Sequence, residues 1–187
     1  MRTTQDDARE NRQIEIFELN PTKGRSNKYI PDATLEINGE TVNIELKTSD
    51  EKRKRVSTGR DVSFSKLDNW RSLNWVFSQY RKTEDGFEFT GEHYFARGKD
   101  LEPWFTKQEK KIREGTKTYA GYQDWEDCKT LLDGKVDKDM LDKLDYSFQK
   151  KGCALNDPSI AWSEIETLGT KLDPDNLPDS LRQTLTR

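Results

Sequence analysis

A mixed α/β (α+β) fold, with a central β-sheet of mixed strand directions flanked by helices, is the architecture this sequence predicts. Three observations carry that expectation. Asn38-Gly39 sits between runs that alternate apolar and polar residues, the strongest short-range signal for a β-hairpin. Asp85-Gly86 offers a second hairpin between two strand-like stretches. Helical spacing of apolar residues appears before the first hairpin, between the two hairpins and after the second, so helices are available to cover the sheet.

In chain order, Thr3 or Thr4 caps a first helix running through Ala8 to about Phe17, ended by Asn20-Pro21. Its polar face carries Glu10 and Glu18. Lys23-Gly24-Arg25-Ser26-Asn27 is a basic loop leading into the first hairpin. A long charged loop is expected from Thr48 to Arg60. Val62, Phe64 and Leu67 then begin a short amphipathic helix through Trp70.

Trp75 to Tyr80 reads as a buried strand, and the chain returns from Asp85-Gly86 through Phe87 and Phe89 to Tyr94-Phe95. Between Asp100 and about Glu114, Pro103 stands in the first turn of a helix whose apolar stripe is Trp104, Phe105 and Ile112, with Gln108 among them. Residues 115–125 mix Lys117, Tyr119, Tyr122 and Gln123 in a loop-like stretch. Val136, Met140, Leu141, Leu144 and Phe148 trace a further amphipathic helix that stops near Gly152. A last helical patch from Ile160 to Leu168 precedes Pro174 and Pro178, whose surroundings read as a surface linker or tail.

The first hairpin makes a sharper statement. If Asn38 and Gly39 form a two-residue loop, Ile37 faces Glu40, and counting outward places Asp32 directly opposite Glu45. Val42, Ile44 and Leu46 then share one face with Ala33, Leu35 and Ile37. Thr41, Asn43, Glu45 and Lys47 share the other with Asp32 and Thr34. Opposed Cβ atoms lie roughly 4.5–5.5 Å apart, and two carboxylates there repel unless something compensates. A divalent cation such as magnesium binds carboxylate oxygens while keeping several waters, and a lysine beside it is placed to hold or polarise one of them. Asp32, Glu45 and Lys47 are therefore the candidate residues of a metal-assisted hydrolase.

Composition narrows the choice. The 187 residues contain one histidine, His93, and two cysteines, Cys128 and Cys153, too far apart for a Cys-x-x-Cys site. Zinc sites built on paired histidines lack their parts, and Ser-His-Asp hydrolysis is disfavoured because its one available histidine, His93, in the aromatic run Glu-His-Tyr-Phe, reads as structural. There is neither a P-loop nor a Gly-x-Gly-x-x-Gly. The hydrophobic fraction is 31% and the mean hydropathy −1.08, so the core is lean, yet 10% aromatics argue for a folded chain. The net charge of −3 disfavours a generic nucleic-acid binder. Its distribution matters more, because Lys52-Arg53-Lys54-Arg55 concentrates positive charge just after the hairpin. No signal peptide or membrane-spanning run is recognisable, and an intracellular, cytoplasmic protein is expected.

Pro31-Asp32 followed by Glu45-Leu46-Lys47 on the next strand resembles the PD-(D/E)XK nuclease superfamily. The further order Ser57-Thr58, Trp75 to Arg81, then Lys99-Asp100-Leu101-Glu102 is similar to the PvuII-type branch of type II restriction endonucleases, over roughly residues 24 to 115. The resemblance implies a restriction-endonuclease-like mixed sheet. It implies Asp32, Glu45 and the Leu46 carbonyl as ligands of Mg2+, with Mn2+ as a substitute, and Lys47 as the residue that positions or activates water. It places base-reading residues in Ser57-Thr58-Gly59-Arg60-Asp61, where this chain lacks the consecutive histidines of the related enzyme, so its DNA target should differ.

Arg60 is suited to donate twice to guanine and Asp61 to accept from cytosine. Lys23, Arg25 and the run Lys52 to Arg55 would contact phosphates. Residues 1–150 are thus expected to form a nuclease core with DNA-contacting loops, and 151–187 a C-terminal helical extension or tail. The implied function is magnesium-dependent hydrolysis of double-stranded DNA by a homodimer of bacterial or phage origin, one copy per strand. A structure-specific, homing or repair nuclease and a catalytically inactive DNA-binding domain are the alternatives.

Overall fold

A computed structural model of the chain describes residues 5–22, 30–60, 62–117 and 155–187. Lys23, Arg25, Asp61, Thr3, Thr4 and the expected helix over Val136 to Phe148 lie outside these residues, as does the stretch from Tyr119 to Trp125.

The order of elements is α1 (Gln5–Ile16), β1 (Asn20–Pro21), β2 (Ala33–Ile37), β3 (Glu40–Asp50), β4 (Arg55–Ser57), α2 (Phe64–Arg71), β5 (Asn74–Thr83), β6 (Gly86–Arg97), a 3-10 turn (Gly98–Leu101) and α3 (Glu102–Lys117). After the undescribed stretch come β7 (Ser159–Ala161), α4 (Trp162–Leu168), β8 (Thr170–Lys171) and α5 (Leu177–Leu185). Six strands form one mixed sheet in the order β1-β2-β3-β5-β6-β8, in which β3 and β5 run parallel and every other neighbouring pair is antiparallel. A two-stranded sheet, β4-β7, lies apart from it. Among the described residues, no helix is long and apolar enough to cross a membrane.

The first hairpin has the register counted from its turn. Ile37 pairs with Glu40 and Ala33 with Ile44. Asn38 at φ 52° and Gly39 at φ 82° take the left-handed conformations that a type I′ turn demands, which is why this dipeptide closes the loop.

At the second hairpin, Thr83 pairs with Gly86, so the loop is Glu84-Asp85, one residue earlier than the Asp-Gly signal suggests. The cause is a bulge. Inner pairs such as Ser78–His93 follow the register of an Asp85-Gly86 turn, but opposite Gln79 two extra residues of β6 are accommodated, and Tyr80 pairs with Phe89. Gly91, at φ 84°, allows that excursion. Because the slip is by two, Phe87 and Phe89 keep their face.

Alternation along β3 and β5 divides the interior into two layers. Ile44, Leu46 and Val76 pack with Ile14 of α1 and Phe17 just past its end, Ala33 and Leu35 of β2, and Leu181 of α5. Trp75 and Phe77 face the other way, into a cluster with Leu67 and Trp70 of α2, Trp104, Phe105 and Ile112 of α3, and Ile160 and Ile165 of the C-terminal segment. Each of these large side chains contributes roughly 1.5–3 kcal/mol on full burial. α2 and α3 are tied together by Arg71, which reaches Asp68, Glu102 and Glu109 at 2.7–2.9 Å. Gly98 is obligatory at their junction, since a Cβ there would lie 1.9 Å from the Arg71 carbonyl oxygen.

Two expectations are corrected. The loop expected from Thr48 to Arg60 is interrupted by strand at both ends of a turn: β3 continues beside β5 as far as the Asp50–Tyr80 pair, and β4 follows, with Val56 fully buried and paired to Ile160. Burial of Val56 outweighs the charge of its neighbours. Residues 155–187 are built into the body rather than appended as an extension or tail. β7 completes the small sheet, β8 adds the sixth strand of the large one, and Leu172, Leu177 and Leu181 are buried. Pro178 does not signal a linker; it occupies the first turn of α5, where a missing N–H costs nothing.

Candidate active site at the free edge of β3

The β2–β3 ladder ends at Ala33–Ile44. Beyond it, among the described residues, β3 keeps β5 as its partner on one side and has no ladder partner on the other. At this fork the Asp32 carboxylate takes over from a strand: its Oδ2 accepts the Leu46 main-chain N–H at 2.8 Å. The alternation that buries Ile44 and Leu46 against α1 turns Glu45 and Lys47 toward the opposite face, where Glu45 is only 7% exposed.

Lys47 gathers the rest. Its Nζ donates to Glu45 Oε1 at 2.6 Å, to the Leu46 carbonyl at 3.0 Å and to Asp32 Oδ2 at 3.3 Å. Three oxygens from three residues thus converge on one positive charge. Burial disfavours the Lys47 ammonium, but Asp32 and Glu45 together outweigh it and hold its pKa above the ordinary lysine range. Glu45 is pushed upward, chiefly by burial, with Lys47 opposing the shift and Asp32 adding to it.

This geometry tests whether the residues suit a metal. Asp32, Glu45 and the Leu46 carbonyl offer hard oxygen donors already arranged around a cation, as magnesium requires. Among the described residues, no group of three or more His, Cys, Asp or Glu side chains is placed to hold a metal ion by side chains alone. A magnesium site here would use two carboxylates and one carbonyl and complete its shell with water, which is how that ion usually binds. The compensator of the two carboxylates in this structure is the lysine itself.

A polar cleft of about 390 Å3 wraps the free edge of β3. Leu46 to Asp50 line it, together with Arg9, Glu10 and Gln13 of α1, Arg53, Arg55, Ser57, Thr58, Gly59 and Arg60 from the following segment, and Asp157. The basic run divides with strand-like alternation. Arg53 and Arg55 face this cleft, whereas Lys52 and Lys54 line a neighbouring groove with Glu51, Glu92 and Trp162.

Ser57 and Thr58, expected to read bases, have their hydroxyls engaged within the chain. Ser57 Oγ donates to Asp157 and Thr58 Oγ1 to the Pro158 carbonyl, and Thr58 is 5% exposed. Pairing of β4 with β7 causes this, and no local signal announces a partner about a hundred residues away. Arg60 remains at the cleft, its carbonyl held by Lys66 Nζ at 2.9 Å.

Residues of α1 complete the site's surroundings. Glu10 lines the cleft, while Glu18 lies past the helix end, exposed and at φ 54°. The sequence pattern marks neither Arg9 nor Gln13 as a site residue. Arg9 donates from Nε to Thr48 Oγ1 at 3.2 Å and stacks 4.4 Å from the Tyr80 ring centroid. Positions 9, 13 and 17 share a helical face, and polar residues there beside the apolar Phe17 were the available signal. His93 is structural, as expected: it is 3% exposed, its Nδ1 lies 2.8 Å from Ser78 Oγ, and its ring meets Phe17 and Phe89 edge-on.

Comparison of the chain with protein-family models and with curated proteins returns no match.

Proposed function

We propose that this protein is a magnesium-dependent DNA endonuclease resembling the PD-(D/E)XK nucleases, acting as a sequence-specific type II restriction enzyme. The observation that carries the reading is the convergence of Asp32, Glu45 and the Leu46 carbonyl on a single cation at the free edge of β3. Mg2+, or Mn2+ in its place, would be held by those three groups, supplying an activated water and stabilising charge on the phosphate oxygens.

The chain's own residues do the remainder. Asp32 and Glu45 hold the Lys47 ammonium charged before a metal binds, and beside the metal Lys47 would donate to the attacking water or a phosphate oxygen. Arg53, Arg55 and Arg60 line the adjoining cleft and would neutralise the backbone on either side of the scissile phosphate. Glu45 and Asp32 hold their orientation through Lys47 and the Leu46 N–H before any ligand arrives, which limits the reorganisation that binding requires. With one such site per chain, a second copy must cut the second strand of a duplex.

The test is incubation of the purified protein with unmethylated plasmid and Mg2+, followed by sequencing of the fragment ends. A single short sequence at all ends supports the restriction reading. Preference for four-way junctions would replace it with a structure-specific nuclease, and intact DNA in both Mg2+ and Mn2+ would reject both.

A further inference from the structure

Gln13 sits on α1, on the opposite side of the sheet from the Lys47 side chain, and is fully buried at 0% exposure. Its neighbours are Ile14 of α1 and Phe17 just past its end, in the apolar layer formed with Ile44, Leu46 and Val76. Gln13 stands where that layer meets the polar cleft lined by Arg9 and Glu10; packing against Ile14 and Phe17 would accept a leucine or methionine there, and a buried amide must find partners for its polar atoms. The Gln13 amide finds only some. Its two Nε2 hydrogens are shared among three acceptors, Ser78 Oγ at 2.9 Å, the Lys47 carbonyl at 3.3 Å and the Val76 carbonyl at 3.4 Å. Its Oε1 is buried with no hydrogen-bond partner. A buried acceptor left unsatisfied is a standing cost, and an apolar residue of the same size would remove it.

What the amide secures is the peptide that carries the site. The Lys47 and Val76 carbonyls belong to the parallel pair β3 and β5, where Leu46 faces Val76 and Lys47 faces Phe77. Gln13 bridges the two strands from below, at the residue whose side chain reaches Asp32 and Glu45 above. Ser78 fixes the amide in turn, and Ser78 itself meets His93 on β6. A buried polar chain therefore runs from β6 through β5 and α1 to the Lys47 main chain. A small rotation of the Lys47 peptide swings a long side chain through a larger arc, so a restraint on that carbonyl adds to the three oxygens that hold Nζ directly.

We propose that Gln13 is the positioning residue for Lys47, acting through its main-chain carbonyl rather than through substrate. That Lys47 serves catalysis rests on the nuclease reading above, but the positioning itself does not. The test therefore has an arm independent of cleavage: the 1H–15N resonance of the Lys47 ammonium, assigned by its loss in Lys47→Arg. An ammonium held by three oxygens exchanges slowly with water and gives a distinct signal.

In Gln13→Met, which keeps the shape and removes the orphan oxygen, the expected result is a shifted or broadened Lys47 signal. The melting temperature should be no lower than that of the wild type. Where the wild type cleaves DNA, the single-turnover rate of this variant should fall at least about tenfold, with DNA affinity in Ca2+ unchanged. Ser78→Ala, which removes the anchor of the amide together with the partner of His93 Nδ1, should shift the signal in the same direction and serves alone if Gln13→Met fails to fold. A Lys47 ammonium signal identical to wild type in these variants overturns the inference, whether or not the protein proves to be a nuclease.

Discussion

Asp32 accepts the Leu46 main-chain N–H at 2.8 Å one residue beyond the end of the β2–β3 ladder, so a carboxylate stands where the next strand partner would have been. The consequence is a site anchored to the backbone of β3 rather than to flexible side chains. Leu46 presents its N–H to one proposed ligand and its carbonyl to the same cation that Asp32 touches. That relationship and the buried Lys47–Glu45 contact generate most of the expectations below.

Removing Lys47 should expose the repulsion it suppresses. In Lys47→Met, Asp32 and the buried Glu45 lose their common donor, and without divalent ions the protein should lose roughly 1–3 kcal/mol of stability. Mg2+ should then raise the melting temperature of the variant more than that of the wild type, because the cation no longer competes with an ammonium for the same oxygens. Thermal unfolding with Mg2+ and with EDTA checks this. An equal response in both proteins would mean that the ammonium and the metal do not share a place.

His93 should make stability depend on pH. Burial, opposed by the nearby Glu92 carboxylate, lowers its pKa to about 4, below the value of about 6.5 expected in the unfolded chain. Between those values the unfolded state binds the extra proton, so stability rises with pH. The contribution is fully present above about pH 6.5 and is lost as pH falls toward 4. It amounts to about 3 kcal/mol. Urea unfolding of wild type and His93→Gln at pH 7.5 and 5 measures it, and the variant should have the smaller difference.

The C-terminal segment should be indispensable to the fold. Leu181 is fully buried against the α1 layer, and Leu181→Ala should cost roughly 2–5 kcal/mol by denaturant unfolding. A true tail would tolerate that change within a few tenths.

The basic run should divide functionally as it divides spatially. Arg55 lines the cleft beside Lys47, whereas Lys54 faces the groove with Glu92 and Trp162. Arg55→Ala should weaken DNA binding in Ca2+ across all sequences and lower the salt slope by about 1. Lys54→Ala should leave both almost unchanged.

How far the sequence reached depended on whether a feature was local. Asn38-Gly39 fixes its own turn, and the register follows from it by counting through five pairs to Ala33–Ile44. The next expected pair, Asp32 with Glu45, does not form as a ladder pair, because the Asp32 carboxylate takes the Leu46 N–H, and the two carboxylates meet through Lys47 instead. The Asp85-Gly86 turn failed by one residue, since the bulge opposite Gln79 lies in the strand and leaves only Gly91 as a trace. Ser57 and Thr58 read as exposed polar residues because their partners, Asp157 and Pro158, are a hundred positions away. Remoteness likewise hid β4 and β8, strands of two or three residues that exist only because a distant partner pairs with them. Lys47 was legible as a site residue, but not as the donor that satisfies both carboxylates. Nor was Gln13 legible behind it, for its role depends on which helix packs beneath β3.

Cleavage of supercoiled plasmid by the wild type, Asp32→Ala and Lys47→Ala, each with Mg2+ and with EDTA, tests the central claim most directly. The account predicts cutting by the wild type in Mg2+ alone and none by either variant, both of which remain folded by circular dichroism. Undiminished Mg2+-dependent cutting by Asp32→Ala or Lys47→Ala would contradict it.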